Sequence, residues 1–246
     1  MKSAVADHLH DAAIRPRQFY AERHAAGKAE PATGQSLATV GLANAADVRG
    51  ACALAKASQP AWAAKPYGER AAVFRTAAAL LEANRGAVAE WIGRETGGIA
   101  PKAMFEIESA LHLFNEAAAM LTQPKGLVLP SQDGVTSIAR RVTHGVVGII
   151  TPFNFPFLLT SRSLLPALAV GNAVVLKPDT RTPVSGGVLL ARLLQEAGLP
   201  EGVLSVLPGE AEAGEALVTD PAVTMVSFTG STAVGRRVGE LAGRHL

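Results

Sequence analysis

The sequence predicts an α/β protein built on a parallel, doubly wound sheet, and three observations carry that prediction. Four short apolar runs occupy residues 146–150, 173–176, 203–207 and 223–228. The first two are β-branched and bounded by Gly or Pro, as strands buried on both faces are. Helical segments alternate with the runs in the order β, α, β, α, β, α, β, the signature of parallel strands with right-handed crossovers. Each run also ends in turn chemistry, at Pro152, Lys177-Pro178, Pro208-Gly209 and Thr229-Gly230. Ligands of such sheets sit at the carboxyl ends of the strands.

Composition narrows the function. With 246 residues, 48% of them hydrophobic, the chain can bury a sizeable core in one large α/β domain or two small ones. A net charge of +2 with acids and bases interspersed lacks the basic cluster of a nucleic-acid surface. The amino terminus has no apolar h-region, which points to the cytoplasm. The single cysteine excludes a disulfide framework and a cysteine-rich zinc site. Residues 145–179 are apolar enough to suggest a membrane span, but Pro152, Pro156, Arg162 and Pro166 interrupt them and Lys177 and Asp179 follow directly. A buried βαβ unit explains that punctuation; a membrane helix does not.

In chain order, His8 and His10 have the spacing of a two-ligand metal fragment without a third ligand, and a solvated terminus accounts for them. A turn at residues 31–34 precedes a short strand-like run at 37–40. Asn44 is an N-cap with Asp47 in the first turn of a helix whose apolar face is Val48, Ala51, Cys52, Ala55 and Trp62. That face puts Cys52 in the core, where it behaves as a small hydrophobe rather than a nucleophile. Residues 68–96 read as one helix, with Val73, Ala77, Leu81, Val88 and Ile92 inward, Glu69, Arg75, Glu82, Arg85 and Arg94 outward, and a stop at Gly97-Gly98. Pro101 opens a helix striped by Met104, Ile107, Leu111, Phe114, Ala118 and Leu121; His112 and Glu116 make a surface pair on it.

Residues 124–130 read as a break, and 135–143 as an alternating strand with two adjacent arginines. The latter is a polar ribbon outside the main sheet, either a partner surface or an ordinary edge strand. Between the first two buried runs, residues 158–170 form a helix. Thr182-Pro183 caps and starts another that stops at Gly198. A short helix spans 212–218. The last strand empties through Thr229-Gly230-Ser231-Thr232 into a helix carrying Val234, Val238 and Leu241, which presents backbone N–H groups and a positive dipole end suited to phosphate. Walker A chemistry fails here because Gly235 is followed by Arg236 and Arg237, and no G-x-G-x-x-G is present.

With these segments assembled, the chain resembles the aldehyde dehydrogenase superfamily, most closely its benzaldehyde dehydrogenase branch. The resemblance rests on PATG (31–34), GVVGIITPFNFP (145–156), PALAVGNAVVLKPD (166–179), AGLPEGVLSVLPG (197–209) and VSFTGSTAVGRRV (226–238). It implies a nucleotide-binding sheet of the aldehyde dehydrogenase type, truncated before its fifth strand, with a small bridging ribbon. Residues 1–126 would be the helical part of the cofactor-binding domain, 127–144 the bridging and oligomerisation ribbon, and 145–246 an incomplete Rossmann-like core, the catalytic domain being absent.

The resemblance also implies roles. Asn154 would donate its side-chain amide to the substrate oxyanion. Lys177 and Asp179 would hold the adenosine ribose, a carboxylate there favouring NAD and the nearby Arg181 leaving NADP open. Gly230 and Ser231 would contact the pyrophosphate, and Ile150, Thr151, Pro152, Phe153 and Gly209 would line the cofactor. In the family a cysteine thiolate attacks the aldehyde and a glutamate activates the hydrolytic water, both beyond the region matched here. The expected function is therefore the cofactor-binding half of an aldehyde dehydrogenase for an aromatic aldehyde, homo-oligomeric when whole and inactive as 246 residues. Alternatives are a non-catalytic nucleotide-binding or assembly fragment, or an acyl reductase of the same fold.

Overall fold

A computed structural model describes residues 25–245, so His8 and His10 lie outside the described residues. Strand β1 (Ala25–Ala29) pairs antiparallel with β2 (Ser36–Gly41) across the 31–34 turn, where Gly34 takes φ +73°, a conformation that a side chain disfavours. Sequence predicted only the second of these strands. The first, AAGKA, contains no β-branched residue and is identified by its pairing.

Helix α1 (Ala45–Ala64) starts as its sequence predicts. Asn44 Oδ1 accepts the N–H groups of Ala46 and Asp47 at 2.8 and 3.1 Å, while the Asp47 carboxylate accepts the Asn44 N–H at 2.9 Å, a reciprocal cap. The predicted single helix over 68–96 is instead two, α2 (Tyr67–Ala83) and α3 (Arg85–Thr96), broken at Asn84 with ψ 15°. The Asn84 amide donates to the Leu80 carbonyl at 2.7 Å, the backbone competition that makes asparagine a helix interrupter. Leu81 and Val88 keep a seven-residue spacing across the break, so the apolar stripe conceals it. Helix α4 (Ala100–Met120) follows Gly97, at φ +68°. Its buried face is Ala103, Glu106, Ile107, Ala110, Phe114, Ala117 and Ala118; Met104 and Leu111 sit half-buried at its margin.

Strands β3 (Gly126–Leu129) and β4 (Ser137–Arg140) form an antiparallel ribbon separate from the main sheet. This corrects the break predicted at 124–130 and shortens the strand predicted at 135–143. Leu127, Val128 and Leu129 are exposed, so no buried face imposes an alternating pattern on β3 for sequence to show.

Strands β5 (Val146–Ile150), β6 (Ala173–Lys177), β7 (Leu204–Val206) and β8 (Val223–Phe228) make the main sheet, all parallel, in the order β7-β6-β5-β8. Period-two alternation divides the core. Val147, Ile149, Val174 and Leu176 face one layer, with Phe74, Phe114 and Leu164; Val146, Ile150, Ala173 and Val175 face the other, with Val48, Cys52 and Leu217. Strand β8 departs from the expected burial: it is an edge strand with Met225 46% exposed.

Helix α5 (Pro156–Ala169) joins β5 to β6. Its carboxyl end is satisfied by side chains from the helical layer: Trp62 Nε1–H donates to the Leu168 carbonyl at 2.8 Å, and the buried Arg70 donates to the Ala169 carbonyl at 3.0 Å, a cation at the negative end of a helix. Helix α6 (Leu189–Glu196) follows a π-helical turn at Val184–Val188, α7 (Ala211–Thr219) joins β7 to β8, and α8 (Thr232–Gly243) follows β8. The expected Thr182 cap is not made. The cap comes from Glu95 on α3, whose carboxylate accepts Val184 N–H at 2.9 Å, Ser185 N–H at 2.6 Å and the Ser185 hydroxyl. Gly187 in the π turn packs so closely that a Cβ there would lie 2.6 Å from Val206 Cγ1 and 3.2 Å from Pro178 Cγ. Gly187→Ala is therefore expected to lower unfolding free energy by about 1–3 kcal/mol, the usual cost of overpacking, measurable by urea denaturation. Among the described residues no helix is long and apolar enough to cross a membrane.

Candidate functional site: a cleft at the strand tips

The chain runs outward from β5 to β6 and β7, then returns to place β8 on the opposite side of β5. Connections on the two sides of β5 diverge, and a crevice opens at the carboxyl ends where the order reverses. A cleft of about 830 Å³ lies there, lined by the loops after all four strands; its size is that of a small-ligand site. It gathers Ile150, Thr151, Pro152, Phe153 and Asn154 after β5, Lys177 and Asp179 after β6, Gly209 after β7, and Gly230 and Ser231 after β8. Every site residue inferred from the resemblance thus reaches one concavity. Thr180, Arg181, Glu210, Glu215 and Arg237 line it as well; sequence assigned them no role in the site beyond Arg181's proximity to Asp179.

Lys177 closes β6, and its stem lies against Gly214, where a Cβ would approach Lys177 Cε to 3.3 Å. Its ammonium donates to the Gly209 carbonyl at 2.6 Å, using one of three donors. Burial pulls the amine below the usual lysine range, offset in part by Asp179 and Glu210. Asp179 Oδ1 accepts from the Arg181 backbone N–H at 2.9 Å and from Arg181 Nε at 2.8 Å, and Oδ2 accepts from Nη2 at 2.8 Å. Burial pushes the Asp179 pKa up, but the hydrogen bonds and charge of Arg181, aided by Lys177, outweigh it and hold the carboxyl below its usual range. The same guanidinium lies 3.5 Å over the Phe153 ring, a cation–π contact that ties the loop after β6 to the loop after β5.

Ser231 is the N-cap of α8, in extended conformation, and its Oγ accepts the Val234 N–H at 3.4 Å. The other first-turn N–H groups have no intrahelical partner, and the positive end of the dipole faces the cleft. Gly230 packs close to the Phe228 ring: a Cβ there would fall 2.7 Å from Phe228 Cζ, so a side chain would have to displace the ring. After β5, the Thr160 hydroxyl donates to the Gly186 carbonyl at 2.8 Å and sits 3.0 Å from the Thr151 hydroxyl, pinning the strand tip to α5 and to the π turn.

An ammonium beside a carboxylate suits vicinal hydroxyls, the α8 terminus suits an anion, and the apolar wall of Val218, Phe228 and Leu241 suits a flat ring. Among the described residues no three His, Cys, Asp or Glu side chains are grouped to hold a metal ion. Cys52 is fully buried, and burial, with Asp220 nearby, pushes its thiol up to about 12. That is the opposite of an activated nucleophile.

Residues 20–246 match the family model described as the aldehyde dehydrogenase family. The chain is 54% identical to a vanillin dehydrogenase of Amycolatopsis sp. over 92% of its own length and 47% of that protein. It is 47% identical to the benzaldehyde dehydrogenase (NAD+) of Pseudomonas putida, over 88% of itself and 45% of the relative. Among solved structures it superposes on an NAD-dependent benzaldehyde dehydrogenase from Corynebacterium glutamicum with a TM-score of 0.87 and 43% identity, covering 92% of this chain and 50% of that one. It superposes on the NAD+ complex of an aldehyde dehydrogenase from Bacillus cereus with a TM-score of 0.86 and 32% identity, covering 90% and 46%. The chain spans about half the length of the curated relatives it matches.

Proposed function

Because the chain belongs to the aldehyde dehydrogenase family, we propose that its strand-tip cleft holds NAD and that it is the cofactor-binding half of an enzyme oxidising an aromatic aldehyde to the carboxylic acid. One observation carries the reading: Lys177 and Asp179, from the tip of β6, and the start of α8, from the tip of β8, converge on a single cleft. Lys177 and Asp179 hold the ribose hydroxyls. Gly230 and Ser231, at the α8 terminus, receive the pyrophosphate. Ile150, Thr151, Pro152, Phe153 and Gly209 line the path of the dinucleotide. The aromatic substrate is supported by the names of the vanillin and benzaldehyde dehydrogenase relatives.

What NAD supplies when bound is an acceptor for the hydride leaving the substrate carbon. Asn154 donates its amide to the substrate oxygen as negative charge builds there, an interaction whose loss typically costs about a hundred- to a thousandfold in turnover. The buried, un-ionised Cys52 cannot act as nucleophile, so the 246-residue polypeptide alone binds the dinucleotide without oxidising benzaldehyde. In this reading the described residues before 127 and from 145 onward build the cofactor domain, while the 127–144 ribbon, with Leu127, Val128, Ile138 and Val142 exposed, meets a second copy of the protein.

Isothermal titration with NAD and NADP tests the proposal; absence of saturation by NAD at millimolar concentration would sink it. Cofactor choice has its own test. Arg181 neutralises Asp179, so Arg181→Ala should expose the carboxylate to a 2′-phosphate and weaken NADP about tenfold relative to NAD, a change of about 1.4 kcal/mol.

A further inference from the structure

We propose that Glu106, with Lys102 and Phe105 on the same turn of α4, is a positioning residue for the loop that carries Asn154. The inference rests on the reading of the cleft above, and Glu106 itself does not line that cleft. Helix α5 starts immediately after the loop and lacks a cap of its own: its N-cap residue is Phe155, which makes no side-chain cap bond, and Pro156 has no N–H to offer. The first N–H groups of the helix belong to Phe157 and Leu158. Both are donated to Glu106 Oε2, at 3.0 and 3.2 Å, from a carboxylate 51 residues before Phe157.

Glu106 is fully buried, and Lys102 donates to its other oxygen. The Lys102 ammonium also lies 4.7 Å above the Phe155 ring, which Phe105 meets edge-on with centroids 6.3 Å apart. One turn of α4 therefore grips Phe155, Phe157 and Leu158, starting at the residue directly after Asn154. Burying a carboxylate is costly unless it is paired and hydrogen-bonded. If helix stability were the sole requirement, Ser or Asp at position 155 would meet it locally. What the remote carboxylate adds is register: it locks the start of α5 to α4, and with it the direction in which the preceding loop presents Asn154.

The test uses the 246-residue chain. Glu106→Ala should speed amide hydrogen exchange at Phe157 and Leu158 by about tenfold or more, as loss of a charge-assisted hydrogen bond implies. It should also displace the Asn154 side-chain amide resonance and raise the NAD dissociation constant by about tenfold. Glu106→Gln, which keeps one acceptor oxygen and the side-chain volume, should fall between alanine and wild type, and it carries the test if the alanine variant does not fold. Ile92→Ala, buried in the core on α3 and not among the residues that line the cleft, should lower Tm comparably while leaving the Asn154 resonance and the NAD affinity unchanged. Should the Glu106 variants lose only Tm, with the Asn154 signal unmoved and affinity within about twofold of wild type, the positioning role is wrong. A wild-type chain that fails to bind NAD would overturn the cofactor reading alone, because the exchange rates and the Asn154 resonance still decide what Glu106 does.

Discussion

Glu95→Ala is expected to lower unfolding free energy by about 3 kcal/mol, read as a drop in urea midpoint at unchanged slope. The carboxylate accepts Val184 N–H, Ser185 N–H and the Ser185 hydroxyl inside the protein. Truncation leaves at least the two N–H groups without an acceptor, each costing about 1–3 kcal/mol. The damage should be directional, since the π turn packs on Val206 of β7 and on Pro178, which lies between the cleft residues Lys177 and Asp179. Glu95 also predicts a pH dependence. Burial raises its pKa from 4.5 to about 7 against the three hydrogen bonds and Lys28, so the folded state binds the proton more tightly than the unfolded state. Its contribution is fully present below pH 4.5 and is lost as pH rises through about 7, by up to about 3 kcal/mol at 1.4 kcal/mol per pKa unit. Asp179, whose pKa is depressed, acts with the opposite sign and only below its unfolded value of 3.8, outside that window. Glu95→Gln should flatten stability between pH 4.5 and 7; an unchanged slope would mean that another group is responsible.

Lys177→Met should raise the NAD dissociation constant about thirtyfold, equivalent to about 2 kcal/mol, the worth of a hydrogen bond to a charged group. Methionine retains the stem that packs against Gly214 but loses the ammonium, including its bond to the Gly209 carbonyl. Because the amine is already partly desolvated in the free protein, bringing it to a ribose costs little further dehydration, and most of its attraction survives as affinity. A control at Arg237, an exposed cleft residue paired with Glu215 and Glu240, should change affinity less. Titration calorimetry on the folded variants decides the matter: an affinity within about threefold of wild type, less than 1 kcal/mol, would remove Lys177 from the site.

Both residues illustrate what a pattern along the chain can reveal. Glu95 falls three positions after Ile92 and seven after Val88, and Glu106 falls three after Ala103 and four before Ala110. A charge set on an apolar stripe is the trace that a buried acid leaves in a sequence. Lys177 carries a louder one, ending an apolar strand beside a proline. Asn154 has no such pattern and was legible only through the motif around it.

What the residues determined by themselves was much of what depends on near neighbours: the Asn44 cap, the stop at Gly97, and the four strand tips that gather at one end of the sheet once the strands lie parallel. Tertiary structure decided the rest. It supplied the acceptor at the start of the π turn from Glu95 rather than Thr182, folded Arg181 over Phe153 and onto Asp179, paired 126–129 with 137–140, and left β8 at an open edge. In each of these the interacting group, or the neighbour that would bury it, is remote in the chain or turned by loop geometry, so local spacing does not encode it; only the packed arrangement brings donor to acceptor.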